Sequence, residues 1–252
     1  DPLEGTRLLA HGLPNALSVL VAAERGSIMS VPTFYMEKIA VGPQAAGHID
    51  ITAPVRENLR VVAAVLGRPV SELTVVILDR PRHAKLIQEV REVGARIKLI
   101  SDGDVAPAIA AAMEGTGVDM LLGIGGAPEG VLTAAAMKCL GGELQCRLWL
   151  QSEQDEARAH AAGFTDFKRV YTHDDLIRSD RVIFAATGVT DGDLLRGVRY
   201  QGRTARTQSV LMRAHTKTIR FIDAIHHLEH KTLRSRRRNQ EIAARPAPAE
   251  AS

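Results

Sequence analysis

Asp1-Pro2-Leu3-Glu4-Gly5-Thr6 sets two carboxylates three positions apart, with a proline to fix the turn between them, then a glycine and a hydroxyl. Carboxylates converging on one side of a short loop supply the oxygen donors that hard cations such as Mg²⁺ take, with water and phosphate filling the other positions. Gly5 permits a tight backbone turn, and the Thr6 hydroxyl could orient an attacking water beside such ions. The same six residues also read as a surface turn carrying two acids. Taken alone they leave both readings open.

Three further stretches carry polar or glycine-rich residues directly after an apolar run. Arg80 and Arg82 follow the run that ends at Leu78, where guanidinium forks would meet a phosphate; the other reading is a surface or capping pair. Asp102-Gly103-Asp104 follows the run 96–100, and Asp104 itself reads first as the cap of a helix beginning at residue 105, leaving Asp102 to accept from sugar hydroxyls. Gly123-Ile124-Gly125-Gly126-Ala127-Pro128-Glu129-Gly130 joins a strand to a helix, with glycines that let a ligand approach the backbone. Glu129 there is either a ligand or a favourable partner of the helix dipole. The stretch has neither the Gly-x-Gly-x-x-Gly fingerprint nor the Lys-Ser/Thr of a P-loop, which disfavours a nicotinamide or ATP site. Asp191 and Asp193 read as turn formers. His226, His227 and His230 read as a solvated face, because they lack a spaced carboxylate partner.

The elements that must position these residues follow from periodicity. Residues 15–24 read as a buried strand and 34–41 as a second strand paired with it. Helical spacing covers 54–66, with Gly67 as the stop. Short apolar strands at 73–78, 96–100, 119–124 and 181–185 then alternate with helices at 81–93, 105–113 and 130–140, the pattern of βαβ units around a parallel sheet. Residues 207–213 and 218–226 read as antiparallel strands. The expected fold class is α/β with mixed sheets. Residues 1–70, rejoined by 206–235, form an α+β first layer; 71–205 form an α/β second layer; 236–252 form a disordered tail. Ligands would sit between the layers, at the strands' carboxyl ends.

Composition narrows the function classes. With 45% hydrophobic and 24% charged residues in a 252-residue chain, a sizeable core is expected, built from aliphatic side chains because aromatics make up only 4%. Much of the net charge of +3 lies in Lys231 and Arg234 to Arg238, with no aromatic residues between for base stacking, so a nucleic-acid partner is not expected. Cys139 and Cys146 make no disulfide or metal framework and read as buried free thiols in a reducing, cytoplasmic setting. No apolar stretch reaches the length of a membrane span, so no membrane partner is expected.

In order and spacing, the motifs resemble those of class II fructose-1,6-bisphosphatases, of the lithium-sensitive, magnesium-dependent sugar phosphatase superfamily. The resemblance rests on Asp1 to Thr6, Phe34-Tyr35-Met36 with Lys38, Asp79-Arg80-Pro81-Arg82-His83, Ser101 to Asp104, Gly123 to Gly130 and Ala185 to Asp193, and covers the chain to about residue 232. It implies a layered sugar-phosphatase fold and hydrolysis of fructose 1,6-bisphosphate to fructose 6-phosphate, a gluconeogenic step, with sedoheptulose 1,7-bisphosphate as a further substrate. It implies Mg²⁺ or Mn²⁺ held by Asp1, Glu4 and Glu129, with Thr6 and Glu129 as catalytic residues. Glu4, Gly5, Thr6, Tyr35, Arg80, Pro81, Arg82, Asp102, Gly103, Asp104 and Gly126 would face the substrate, and the enzyme would be a homo-oligomer. The resemblance also implies an N-terminal portion ahead of Asp1 with further acidic ligands, so the chain alone is expected to be weakly active. The alternatives are a non-catalytic sugar-phosphate binder and an inositol-phosphatase-like phosphomonoesterase.

Overall fold

A computed structural model describes residues 1–230, as two sheets with helices between them and on one outer side. The disordered tail expected at 236–252 and the basic run at 231–238 lie outside the described residues.

The first sheet has the order β1 (Leu17–Ala23), β8 (Val182–Gly188), β10 (Thr204–Arg213), β11 (Thr218–His227), all antiparallel, with the short β9 (Arg199–Gln201) also on β10. The second has the order β4 (Arg96–Ile100), β3 (Thr74–Leu78), β5 (Met120–Gly126), β2 (Tyr35–Val41), β6 (Glu143–Trp149), β7 (Tyr171–Thr172). β3, β4 and β5 run parallel, and β2 lies antiparallel between β5 and β6. Among the described residues the α-helices are α1 (Thr6–Ala10), α2 (Val55–Val65), α3 (Ala84–Val93), α4 (Val105–Ala111), α5 (Ala127–Leu140), α6 (Glu153–Ala161) and α7 (His173–Leu176).

Two clusters explain the layering. One joins Leu17, Val19, Phe184 and Val210 of the first sheet to Met36, Ala40 and Leu121 of the second through α4 and α5. The other packs the opposite face of the second sheet, Ile39, Val41, Ile77 and Met120, on Leu59 and Val62 of α2 and Ile87 and Val90 of α3. α5 is therefore apolar on almost every side, since it lies between two sheets.

Two strands depart from the sequence reading. β2 was expected to pair with β1 but belongs to the second sheet. Met36 and Ala40 are buried on one of its faces and Ile39 and Val41 on the other, which suits only a central strand covered on both sides. β8, expected among the parallel strands, lies between β1 and β10. Val182, Phe184 and Ala186 are buried whereas Ile183 is exposed, the alternation of a sheet covered on one face. α5 starts at Ala127 rather than 130, with Gly126 as its cap and Pro128 inside the first turn. The strands β6, β7 and β9 and the helices α1, α6 and α7 were not anticipated.

Candidate active site

One edge of the second sheet collects the loops after β3, β4 and β5. Because β2 runs the other way, its first residue arrives at the same edge, with Tyr35 opposite Gly126. The opening turn reaches this edge from the first sheet. Glu4 pairs with Leu17 through both backbone bonds (2.8 and 3.1 Å), and Gly5 turns the chain into α1 at φ +79°, where a β-carbon would lie 2.7 Å from Leu8 Cδ1.

The result is a cleft of about 510 Å³ whose lining includes Asp1, Glu4, Gly5, Thr6, Tyr35, Arg80, Arg82, Asp102, Gly103, Asp104, Gly126 and Glu129. Of the site residues named from sequence, Pro81 alone is outside this lining; it sits at the start of the one-turn helix Pro81–His83 and shapes the loop that carries the two arginines. Asp191 and Asp193 also lie elsewhere. The Asp191 carboxylate accepts locally from Gly197 N, whereas Asp193 accepts from Lys98 Nζ (2.6 Å) and Asn15 Nδ2, both distant in sequence.

The cleft has two poles. At one, Asp1, Glu4 and Glu129 each offer a carboxylate oxygen, all within 4.8 Å of one another. Glu129 stands in the first turn of α5, and its Oε2 is buried with no hydrogen-bond partner. Gly126 leaves room for this carboxylate, since a β-carbon would fall 2.0 Å from that oxygen and push the Glu129 side chain aside. Burial, followed by the neighbouring Asp104 and Glu129 carboxylates and against the pull of Lys38, pushes Glu4 up to about 7. Three clustered oxygen donors, one an orphan and one held above its usual pKa by burial and by its neighbours, fit a hard divalent cation.

At the other pole, Arg82 donates through Nε and Nη2 to Ile124 O (3.3 and 2.8 Å), and its guanidinium lies 4.9 Å over the Tyr35 ring. Tyr35 meets Trp149 edge-on, and Arg80 leans toward Asp102 at 3.7 Å.

Asp104 occupies the position before α4, as the capping reading required, but its side chain makes no cap bond. Its Oδ2 accepts from Lys38 Nζ at 2.7 Å, and its Oδ1 is buried without a partner. A buried ammonium is a stronger claimant on a carboxylate than a helix amide. Sequence reasoning gave Lys38 and His83 no part in the site. The signal for Lys38 was a lysine on the strand face it shares with Met36 and Ala40, both buried.

The model of the family described as "Bacterial fructose-1,6-bisphosphatase, glpX-encoded" matches residues 1–226. A protein of Microcystis aeruginosa named D-fructose 1,6-bisphosphatase class 2/sedoheptulose 1,7-bisphosphatase is 47% identical over 238 residues, covering 90% of this chain and 69% of the relative. Proteins of the same name from two Synechococcus strains are 44% identical over the same coverage.

Proposed function

The chain belongs to the family of glpX-encoded bacterial fructose-1,6-bisphosphatases, and on that premise we propose that the cleft hydrolyses the 1-phosphate ester of fructose 1,6-bisphosphate. The products are fructose 6-phosphate and phosphate. Sedoheptulose 1,7-bisphosphate is the second substrate, since the relatives' names carry both activities. The observation that carries this reading is the single cleft with an acidic pole and a guanidinium pole. A sugar with a phosphate at each end needs both.

Asp1, Glu4 and Glu129 would hold a divalent ion, Mg²⁺ or Mn²⁺, which when bound supplies charge neutralisation and Lewis-acid activation. Thr6, exposed at the start of α1, turns its hydroxyl to the attacking water; the ester bond between phosphorus and the C1 oxygen breaks as the water oxygen bonds to phosphorus, and one water proton ends on the departing C1 oxygen. Arg80 and Arg82, with Tyr35, hold the distal phosphate. Asp102 accepts from sugar hydroxyls, Asp104 lines the cleft beside it, and the bare backbone at Gly126 admits the sugar. The proposal extends to a cytoplasmic homo-oligomer, in keeping with two buried free thiols. Light scattering after gel filtration checks the oligomer.

The test is phosphate release from fructose 1,6-bisphosphate with and without Mn²⁺ or Mg²⁺. Release that requires the ion and collapses in Glu129→Ala is the expected result. A folded protein that binds the bisphosphate but releases no phosphate would make the cleft a binding site only.

A further inference from the structure

His83 is fully buried and follows Arg82 in sequence. Its Nδ1 lies 2.7 Å from Leu78 O at the end of β3, and its Nε2 lies 2.7 Å from Ile124 N in β5. These partners fix the tautomer. A carbonyl oxygen can only accept, so Nδ1 carries the proton; an amide N–H can only donate, so Nε2 is bare. The ring is therefore neutral, and burial, with Arg82 and Arg80 close by, pulls its pKa below the ordinary histidine value.

The backbone of Ile124 is consequently held at both of its polar groups, in two successive peptide planes. His83 takes its N–H, and Arg82 donates twice to its C=O. Gly123 leaves room for the ring, at φ +140°, with a β-carbon position only 3.1 Å from Nε2. His83 N in turn donates to Arg80 O at 2.8 Å, which closes the short turn carrying both arginines.

We propose that His83 is a positioning residue for the phosphate pole of the cleft, fixing the backbone of Ile124, whose carbonyl holds the Arg82 guanidinium. The proposal rests on the reading that Arg82 holds a substrate phosphate. Two of the guanidinium nitrogens are committed to Ile124 O, so any shift of that carbonyl carries the remaining one with it. A histidine that only filled the core would not act through Arg82.

The experiment is a double-mutant cycle on fructose 1,6-bisphosphate binding by the full chain, read from the fluorescence of Trp149, the one tryptophan, which meets Tyr35 edge-on. His83→Asn is expected to raise the Kd about tenfold in the native background and by less than about twofold when Arg82 is already alanine. Leu59→Ala, in the core cluster on α2, controls for lost stability and should leave the Kd unchanged. Native protein that does not bind the bisphosphate would remove the site reading, and this proposal with it. Binding that survives His83→Asn, or an equal loss in the Arg82→Ala background, would overturn the proposal alone. Should His83→Asn fail to fold, nitrogen-15 NMR of the native histidines decides. A proton on Nδ1 supports the clamp, and a proton on Nε2 refutes it.

Discussion

Replacing Lys38 by methionine removes the ammonium while keeping most of the side chain's volume, and so isolates the buried ion pair with Asp104. Both side chains are almost wholly enclosed, at 1% and 6% exposure, and Nζ stands 2.7 Å from Oδ2. The other carboxylate oxygen already lacks a partner, so the variant would leave Asp104 buried without a hydrogen-bonded counter-charge. Breaking such a pair from one side costs about 3–5 kcal/mol. Against a total stability of about 5–15 kcal/mol, that is a large fraction. In urea denaturation followed by circular dichroism, with an m-value of about 3 kcal/mol per molar, the midpoint should fall by about 1–2 M. Adding Asp104→Asn removes the stranded charge, and the double variant should recover more than half of the loss. A single-variant cost below about 1 kcal/mol, or a double variant less stable than the single, would refute this account of the pair.

Gly126→Ala is expected to displace the Glu129 carboxylate, because the new β-carbon would stand 2.0 Å from Oε2; Mn²⁺ affinity, by calorimetric titration, should drop at least about tenfold with the fold intact. Glu4 makes stability pH-dependent in EDTA-treated protein. Its folded pKa of about 7 lies above the ordinary 4.5, so its contribution is full below pH 4.5 and lost as pH rises through 7. The Tm should therefore decline over that window, and the Glu4-dependent part of the decline should vanish in Glu4→Gln or under saturating Mn²⁺. Burial raises the Cys139 and Cys146 thiols to about 11 and 12, so neither should react with Ellman's reagent at pH 8 until urea unfolds the chain. Rapid labelling of native protein would contradict their burial.

The parallel strands, their helices and the loops after them could be read from sequence because each carries its own signal. An apolar run marks a buried strand, and the polar or glycine-rich residues that follow mark a loop with something to bind. Strand partnership carries no such signal. Residues 34–41 alternate in the same way whether they pair with β1 or lie between β5 and β6, and only packing on both faces decides. That choice matters for the site, since the observed placement brings Tyr35 beside Gly126 and over Arg82. The capping reading of Asp104 failed for a related reason. Local rules see the helix that follows, but the lysine that claims the carboxylate lies 66 residues away. β6 was missed although Glu143, Gln145 and Arg147 alternate with buried Leu144, Cys146 and Leu148 along it, the period of a half-buried strand, and Arg147 pairs with Glu37 on β2.

The acidic pole is where the fold works against its own stability. Five carboxylates, Asp1, Glu4, Asp102, Asp104 and Glu129, line the cleft, and Lys38 answers only one of them directly. A buried Glu129 oxygen without a partner and a Glu4 driven toward neutrality are unfavourable in the protein alone. Both become favourable once a divalent ion shares the donors, so binding and stability must be linked. An ion held a hundredfold above its Kd would add about 2.7 kcal/mol to the folded state. The guanidinium pole is built differently, with Arg82 fixed by Ile124 O and Tyr35 before any ligand arrives. The guanidinium end of the cleft is thus preorganised by the fold, whereas the acidic end is left to be completed by a bound cation. Glu129→Gln should accordingly leave EDTA-treated protein no less stable while abolishing most of the stabilisation by Mn²⁺, and a variant that lost stability in EDTA yet kept the metal response would show that Glu129 is a structural acid.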